Sequence, residues 1–294
     1  MSESNMTVAT PSSANIARQS GLLKRLARDN PQLLLGALII GIIVLMALCA
    51  PLLTSHDPTA QDFMSTLQGP SAAHLLGTDN LGRDIWARLL YGARVDLFLA
   101  AIAVVLPFCI GSTIGALCGY FGGWFDTIVM RIADIMVAFP FYVLVISLVF
   151  ILGNGIWSIV VAISIVSWIA YARIIRAEAM VLSSTNFMDA LHVGGLGVPR
   201  IVFRHLMPNV LSQAIVYAMS DIVANIGVIV TLSYFGLGIV PPTPDWGNMM
   251  SEGQPFFAGG IYSLMLIPAV AVIVTSYGLS LVGDGLATAL RVKK

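Results

Sequence analysis

The chain has 294 residues, no formal net charge at pH 7, 57% hydrophobic residues and only 10% charged residues. Soluble domains carry about 25% charged residues, so this composition predicts an integral membrane protein. The absence of a net positive charge argues against a nucleic-acid-binding function, which usually depends on a strongly basic surface.

The first third of the chain divides into a polar tail, an apolar run and a polar loop. Residues 1–30 are rich in Ser, Thr and Asn, and we expect them to form a disordered tail. Residues 33–53 carry no charge and have about the 20 residues that a spanning helix needs. Residues 54–94 are polar again and predict a loop that ends in a helix lying in the membrane interface.

Five more apolar segments of spanning length follow, at residues 97–120, 127–152, 156–172, 210–237 and 260–282. In the first of these, Gly111, Gly115 and Gly119 recur every four residues and therefore share one helix face. Such a row of small residues lets a second membrane helix approach closely. The expected fold is all-α, a polytopic membrane protein with six transmembrane helices.

A second long polar interval between two predicted spans covers residues 173–209, and we call it the polar segment. Within it, Thr185 or Asn186 can cap a helix that begins near Phe187, and Gly194-Gly195 and Gly197 can end that helix. A short helix in water with exposed apolar side chains needs a partner. We therefore expect the polar segment to meet another protein.

The positive charges indicate which side of the membrane each loop occupies. Arg83, Arg88 and Arg94 lie between the first two predicted spans, and the rest of the 15 Lys and Arg residues lie near the termini, at the start of the third span or in the polar segment. Cytoplasmic loops carry the excess of Lys and Arg. Both termini, including a basic tail at residues 291–294, and the polar segment are therefore predicted to be cytosolic, with the first loop extracytoplasmic.

Catalytic and metal-binding motifs are missing from the sequence. A P-loop needs Gly-Lys followed by Ser or Thr, but Lys24, Lys293 and Lys294 all follow other residues. Neither a nucleophile elbow nor a zinc-hydrolase motif is present. Three cysteines in apolar runs and four scattered histidines predict no disulfide framework and no metal site. We expect a chain that is not an enzyme and binds no cofactor of its own.

Five blocks of the sequence, in the same order, resemble the C-type permease subunit of the dipeptide, oligopeptide and nickel branch of bacterial ABC importers. They are LLGTDNLGRDIWARLLYGAR at 75–94, GYFGGWFDTIVMRIADIMVAFP at 119–140, FRHLMPN at 203–209, SYFGLGIVPPTPDWGNMMSEG at 233–253 and LVGDGLATAL at 281–290. Asp189-Ala190-Leu191 with Gly195, followed by Met-Pro-Asn at 207–209, is similar to that family's E-A-A-x-x-x-G loop. Here Asp189 stands where the family has Glu, Leu191 where it has the second Ala, and Met207 where it has the Leu before Pro.

The resemblance implies a type I ABC importer transmembrane domain at residues 95–290, in the inner membrane of a bacterium. It implies four kinds of partner: a homologous B-type permease, two ATP-binding subunits that hold ATP and magnesium, an extracytoplasmic substrate-binding protein, and the lipid bilayer. It also implies that the polar segment is a coupling loop that docks on an ATP-hydrolysing subunit. The contact residues expected for that docking are Phe187, Asp189, Ala190, Leu191 and Gly195.

A polar stripe runs along the fifth predicted span at every fourth residue: Gln213, Tyr217, Asp221 and Asn225. A carboxylate near the bilayer centre costs about 2.5–3.5 kcal/mol on insertion scales and faces a cavity or a partner. Asp221 is therefore predicted either to line a translocation route or to bond structurally to the second permease. Ser164 and Ser167 give the fourth span a fainter stripe, which suggests a pathway between subunits.

The expected substrate is a dipeptide or an oligopeptide, with a nickel chelate or another small solute as the alternative. The binding protein is expected at the loops of residues 54–94 and 241–257, whose Trp86 and Trp246 suit an interface. A secondary transporter is less favoured, because such proteins commonly have internal repeats and coupling-ion ligands. A purely structural scaffold is also less favoured, because that function accounts for neither the polar stripe nor the polar segment.

Overall fold

The computed structural model describes residues 30–291. The tails predicted for residues 1–30 and 291–294 lie outside the described residues except at their inner ends. Within that range the chain is built from helices and loops, with an isolated antiparallel bridge between Thr78 and Asp84.

The helices in chain order are α1 (Pro31–Leu48), α2 (Ala50–Leu53), α3 (Ile85–Phe121), α4 (Gly123–Val137), α5 (Phe141–Leu152), α6 (Ile156–Ser183), α7 (Asn186–Val193), α8 (Val198–Arg200), α9 (Met207–Tyr234), α10 (Trp246–Phe257) and α11 (Ser263–Arg291). A short 3-10 turn, Phe63–Ser65, lies in the loop before α3, and a π-helical stretch, Ile201–Leu206, leads directly into α9.

Within residues 30–291, five helices are long and apolar enough to cross a membrane: α1, α3, α6, α9 together with the turns before it, and α11. Helices α4 and α5 pass the same test only as a pair, which would make a sixth span. The predicted fold class, an all-α polytopic membrane protein, is confirmed.

The third predicted span, residues 127–152, is not one straight helix. It consists of α4 and α5, whose axes are bent by 91°. Pro140 sits at the N-cap of α5 with φ −58° and ψ 131°. Proline lacks a backbone N–H and pushes the residue before it out of the helical region. The apolar run therefore continues across a point where the helix cannot.

The segment predicted as an interfacial helix is instead the beginning of α3, which runs without a break for 37 residues from Ile85. Asp84 caps it, its carboxylate accepting from the Ala87 backbone N–H at 2.7 Å. Arg88 is only 3% exposed. The polar side chains that suggested an interface are buried in contacts with a distant part of the chain.

The close approach of α3 and α6 depends on the predicted row of glycines. A Cβ at Gly111 would collide with the Trp168 carbonyl, and one at Gly115 with the Ala172 carbonyl. A Cβ at Gly119 would also meet α6 atoms well inside contact distance. Because lipid tails are as apolar as the side chains of membrane helices, the hydrophobic effect does not drive two helices together in the bilayer. Their association depends on close packing of this kind. The predicted small-residue ridge is confirmed.

Two clusters of buried side chains position the regions described next. Leu99, Ile163 and Ile229 belong to the first, which joins α3, α5, α6 and α9. Met188 and Leu206 belong to the second, which joins α6, α7 and the start of α9. The polar segment is therefore fixed to the same two helices, α6 and α9, that carry the predicted polar stripes.

Candidate functional site

Helix α7 lies at the centre of the polar segment. Thr185 occupies its N-cap, and the Thr185 carbonyl accepts a hydrogen bond from the Met188 N–H at 2.9 Å. The Thr185 hydroxyl instead donates back to the Leu182 carbonyl at 2.7 Å, so the predicted side-chain cap does not form. Gly195 has φ +71°, the left-handed conformation that ends many helices and favours glycine.

Helix α7 is anchored through one face and accessible on the other. Met188 is fully buried in the second cluster. Of the five residues predicted to contact an ATP-hydrolysing subunit, Phe187, Asp189, Ala190 and Gly195 are exposed and Leu191 is half-buried. Phe187 is 46% exposed and Val193, in the last turn, is 90% exposed. An accessible surface with apolar side chains is thus held rigidly against the bundle.

A second contact joins α7 to the end of α3. The Tyr120 hydroxyl lies 2.8 Å from His192 Nε2, and the two rings are nearly parallel with centroids 5.9 Å apart. Because Tyr120 lies 72 positions before His192, the sequence offered no sign of this pairing. A displacement of α7 would therefore be transmitted to α3 as well as to α6 and α9.

Two ion pairs join α6 to α4 at the start of the polar segment. Arg176 forms a bidentate pair with Asp126, one of whose bonds, from Nη2 to Oδ2, measures 2.5 Å. Arg173 donates to Asp134 at 2.8 Å, with both side chains about half exposed. The bidentate pair is the more shielded of the two and fixes the orientation of α4 against α6.

The polar stripe on α9 turns partly inward. Asp221 is 8% exposed and accepts a hydrogen bond from the Tyr171 hydroxyl of α6 at 2.8 Å. Tyr217 packs edge-on against Tyr171, with ring centroids 5.0 Å apart. Asn225 is 1% exposed, and its amide lies 3.5 Å from the Ala103 carbonyl of α3. The acid that the sequence places in mid-membrane is therefore hydrogen-bonded and shielded from lipid.

A cavity of about 580 Å³ opens between the α4–α5 bend, α6 and α9, and we call it the Asp221 cavity. Its polar lining includes four of the six predicted pathway residues, Ser167, Tyr217, Asp221 and Asn225. Among the described residues, its charged lining residues are Asp221 and Arg173. The remaining walls are apolar, formed by residues such as Phe139, Phe141 and Val228.

Two predicted pathway residues lie elsewhere. Gln213 is exposed on α9 and does not line the Asp221 cavity. Ser164 lines a neighbouring apolar groove with Ile132 and Trp168, and its buried hydroxyl has no hydrogen-bond partner among residues 30–291. The sequence pattern grouped all six predicted pathway residues together. In the structure, four of them line the Asp221 cavity, and Gln213 and Ser164 lie outside it.

The opposite end of α3 carries a buried ionic network that the sequence did not reveal. Arg83 donates to Asp79 at 2.7 Å and to Glu252 of α10 at 2.6 Å, and Arg88 donates to Glu252 at 2.7 Å and also to Asp79. Removing one partner from a buried ion pair costs about 3–5 kcal/mol. The network therefore fastens the loop before α3 and helix α10 to the bundle.

Trp246, predicted to lie at an interface, is instead a core residue. It is 1% exposed, its indole N–H donates to the Leu89 carbonyl at 3.1 Å, and its backbone N–H donates to Asp96 at 3.0 Å. The neighbouring Asp245 caps α10 through Asn248, and burial raises the pKa of Asp245 to about 6. Its contribution to stability therefore decreases as the pH rises toward 6.

Comparison with known proteins places these features in a family. The family described as "Binding-protein-dependent transport system inner membrane component" matches residues 111–293, and "N-terminal TM domain of oligopeptide transport permease C" matches residues 23–70.

Curated relatives match almost the whole chain. The dipeptide transport system permease protein DppC of Alkalihalophilus pseudofirmus is 37% identical over 263 residues, covering 90% of this chain and 86% of the relative. The oligopeptide transport system permease protein OppC of Bacillus subtilis is 36% identical with the same coverage. The glutathione transport system permease protein GsiD of Pectobacterium atrosepticum is 35% identical and covers 91% of this chain and 88% of the relative.

A solved structure has the same fold. A chain of the MetNI methionine ABC transporter, in an inward-facing conformation, superposes with a TM-score of 0.54 at 19% identity, covering 70% of this chain and 97% of that chain. The family matches, the level of identity and the spanning helices together show that this chain belongs to the binding-protein-dependent transport system inner membrane components, as a multi-pass permease subunit of the ABC importer type.

Proposed function

We propose that this chain and a homologous permease together form the membrane route of an importer for peptides, driven by two partner subunits that hydrolyse ATP. The relatives named above transport dipeptides, oligopeptides and glutathione according to their names. The family membership supports the assembly, and the relatives support the class of substrate.

The observation that carries the proposal is the pair of charges at the Asp221 cavity. A peptide has an ammonium group at one end and a carboxylate at the other, and Asp221 and Arg173 present the complementary signs to one space. Charges of complementary sign confer specificity and orientation. The apolar walls between them suit side chains of different sizes, as a peptide carrier requires.

Arg173 is available to a substrate even though it is paired. Its bond to Asp134 joins two side chains that are 44% and 56% exposed. Exposed ion pairs contribute about 0–1 kcal/mol, so a peptide carboxylate can replace Asp134 as the partner at little cost. Tyr171, in contrast, holds Asp221 from within the bundle.

The two predicted pathway residues outside the cavity fit a route shared by two permeases. Gln213 faces outward, and the Ser164 hydroxyl has no hydrogen-bond partner in the described part of the chain. We place both where the second permease completes the wall. Ser167, Tyr217, Asp221 and Asn225 then form the half of the route that belongs to this chain.

The coupling surface is the exposed side of α7 and the turn that follows it. Phe187, Asp189, Ala190 and Gly195, with the edge of Leu191, form the contact with an ATP-binding subunit. ATP and magnesium are held by that subunit, because this chain contains no Gly-Lys sequence. The buried Met188 and the bond between His192 and Tyr120 transmit the displacement of α7 to the spanning helices.

The distribution of Lys and Arg supports the orientation, with both termini and the polar segment in the cytosol. Residues 95–290 then form the permease domain, and the loop of residues 54–84 and helix α10 face the substrate-binding protein. This arrangement places coupling and delivery of substrate at opposite ends of α3.

The test is uptake by the assembled transporter in proteoliposomes that contain ATP, supplied with its binding protein. Labelled dipeptides, tripeptides and longer peptides are expected to enter in a saturable manner that requires ATP. A nickel chelate serves as the competing substrate. Uptake of the chelate with no uptake of any peptide length would overturn the assignment.

A further inference from the structure

Three potential metal ligands from distant positions meet in the loop before α3. They are His56, His74 and Asp84, and one nitrogen or oxygen atom from each lies within 4.8 Å of those of the other two. The two imidazole rings face each other with centroids 4.8 Å apart and an interplanar angle of 31°. His74 Nδ1 already lies 2.9 Å from Asp84 Oδ2.

Two of these side chains are held in place by the surrounding structure. Asp84 Oδ1 accepts from the Ala87 N–H at 2.7 Å as the cap of α3, which leaves Oδ2 to face His74. The His74 side chain is 16% exposed and that of Asp84 is 3% exposed. A site whose ligands are oriented before the ion arrives loses less conformational freedom on binding.

We propose that His56, His74 and Asp84 bind a divalent transition-metal ion of the zinc type. Imidazole nitrogens and a carboxylate oxygen are common zinc ligands, at about 2.0–2.2 Å from the ion. Tetrahedral ligands at that distance lie ~3.3 Å apart, close to the spacing of His74 and Asp84. For all three ligands to reach one ion, His56 has to rotate away from the Ala73 carbonyl, to which its Nε2 bonds at 2.9 Å. Water completes the coordination.

The ion would connect the end of the first span to the beginning of α3. His56 lies three residues after α2 ends at Leu53, and Asp84 is the cap of α3. Between them runs the loop that the Asp79 network fastens from its other side. The metal therefore stiffens a loop on the face proposed for the binding protein, and it is neither substrate nor part of the route through the membrane.

The experiment is calorimetric titration of zinc chloride into the full-length chain, purified in detergent without a histidine tag. One zinc ion is expected to bind per chain. His56→Gln and His74→Gln are each expected to weaken binding at least tenfold, since even residues that only support metal ligands change affinity about 10- to 100-fold. Zinc should raise the temperature of thermal unfolding in the parent chain and raise it less in these two variants.

His205→Gln is the matched control, because His205 lies in the polar segment at the other end of the bundle. It is expected to bind zinc as the parent does. His56→Gln loses one exposed hydrogen bond to a loop carbonyl and the ring contact with His74, so its unfolding temperature without zinc should stay close to that of the parent. Absence of zinc binding to the parent chain, or equal binding by both loop variants and the parent, would overturn the proposal.

Discussion

Substitution of Gly195 by tryptophan is expected to lower ATP-driven uptake about 30-fold, while the chain still inserts and assembles its helices. Apart from its chain neighbours, no atom of the described residues lies within 4 Å of a Cβ at this position, so the added indole projects outward from the proposed coupling surface. Loss of a central contact in an interface costs about 2 kcal/mol or more, which corresponds to the stated ~30-fold. The measurement is the number of peptides imported per ATP hydrolysed.

The control for this variant separates bulk from backbone strain. Gly195 has φ +71°, where most L-residues are disfavoured by about 1–2 kcal/mol but asparagine is tolerated. Gly195→Asn is therefore expected to keep most of the uptake. If Gly195→Trp imported peptide as efficiently per ATP as the parent, α7 and its following turn would not be the coupling surface.

Substitution of Asp221 by asparagine is expected to reduce uptake at low peptide concentration by about 10- to 100-fold. The change removes a charge from the Asp221 cavity but keeps the side-chain size and an acceptor for the Tyr171 hydroxyl. A hydrogen bond to a charged group contributes about 1.5–3 kcal/mol. The measurement is the dependence of uptake on peptide concentration, where the half-saturation concentration should rise.

Two further variants interpret that result. Tyr171→Phe removes the bond to Asp221 but leaves the carboxylate, so a smaller loss is expected. Ser220→Ala alters an exposed side chain of the same helix turn that does not line the cavity, and it should behave as the parent. Unchanged uptake and ATP hydrolysis in Asp221→Asn would exclude a role for the carboxylate in the pathway.

Features with a local sequence signal were predictable. The spans follow from uninterrupted apolar runs, the contact of α3 with α6 follows from glycines at every fourth position, and the end of α7 follows from Gly195. Each of these depends on residues close together in the chain. The same holds for the inward polar face of α9, since residues four apart share a helix face.

Features created by distant contacts were not predictable from patterns. Arg88 looked like an interfacial residue because its partner Glu252 lies 164 positions away. Trp246 resembles an interfacial residue in the sequence because the acceptor of its indole N–H, the Leu89 carbonyl, lies 157 positions earlier in the chain. The division of the polar residues between two spaces likewise depends on how α4 and α5 bend around α6.

The break between α4 and α5 is different, because its cause is visible in the sequence. Pro140 interrupts an apolar run that remains continuous in composition on both sides. Hydropathy alone merges the two helices, whereas the restriction that proline places on the preceding residue separates them. The bend supplies one wall of the Asp221 cavity, so Pro140 shapes the candidate site as well as the fold.

In the proposed transporter, α7 receives the motion of an ATP-hydrolysing partner. A photo-crosslinking amino acid at Ala190, which is exposed, detects that contact when the crosslinked partners are identified by mass spectrometry. The same probe at Phe257, 41% exposed on α10, is the control at the opposite end. A covalent adduct with a P-loop subunit at Ala190 and none at Phe257 is the expected result. An adduct with that subunit at Phe257, or none at Ala190 in a transporter that is active, would contradict the account.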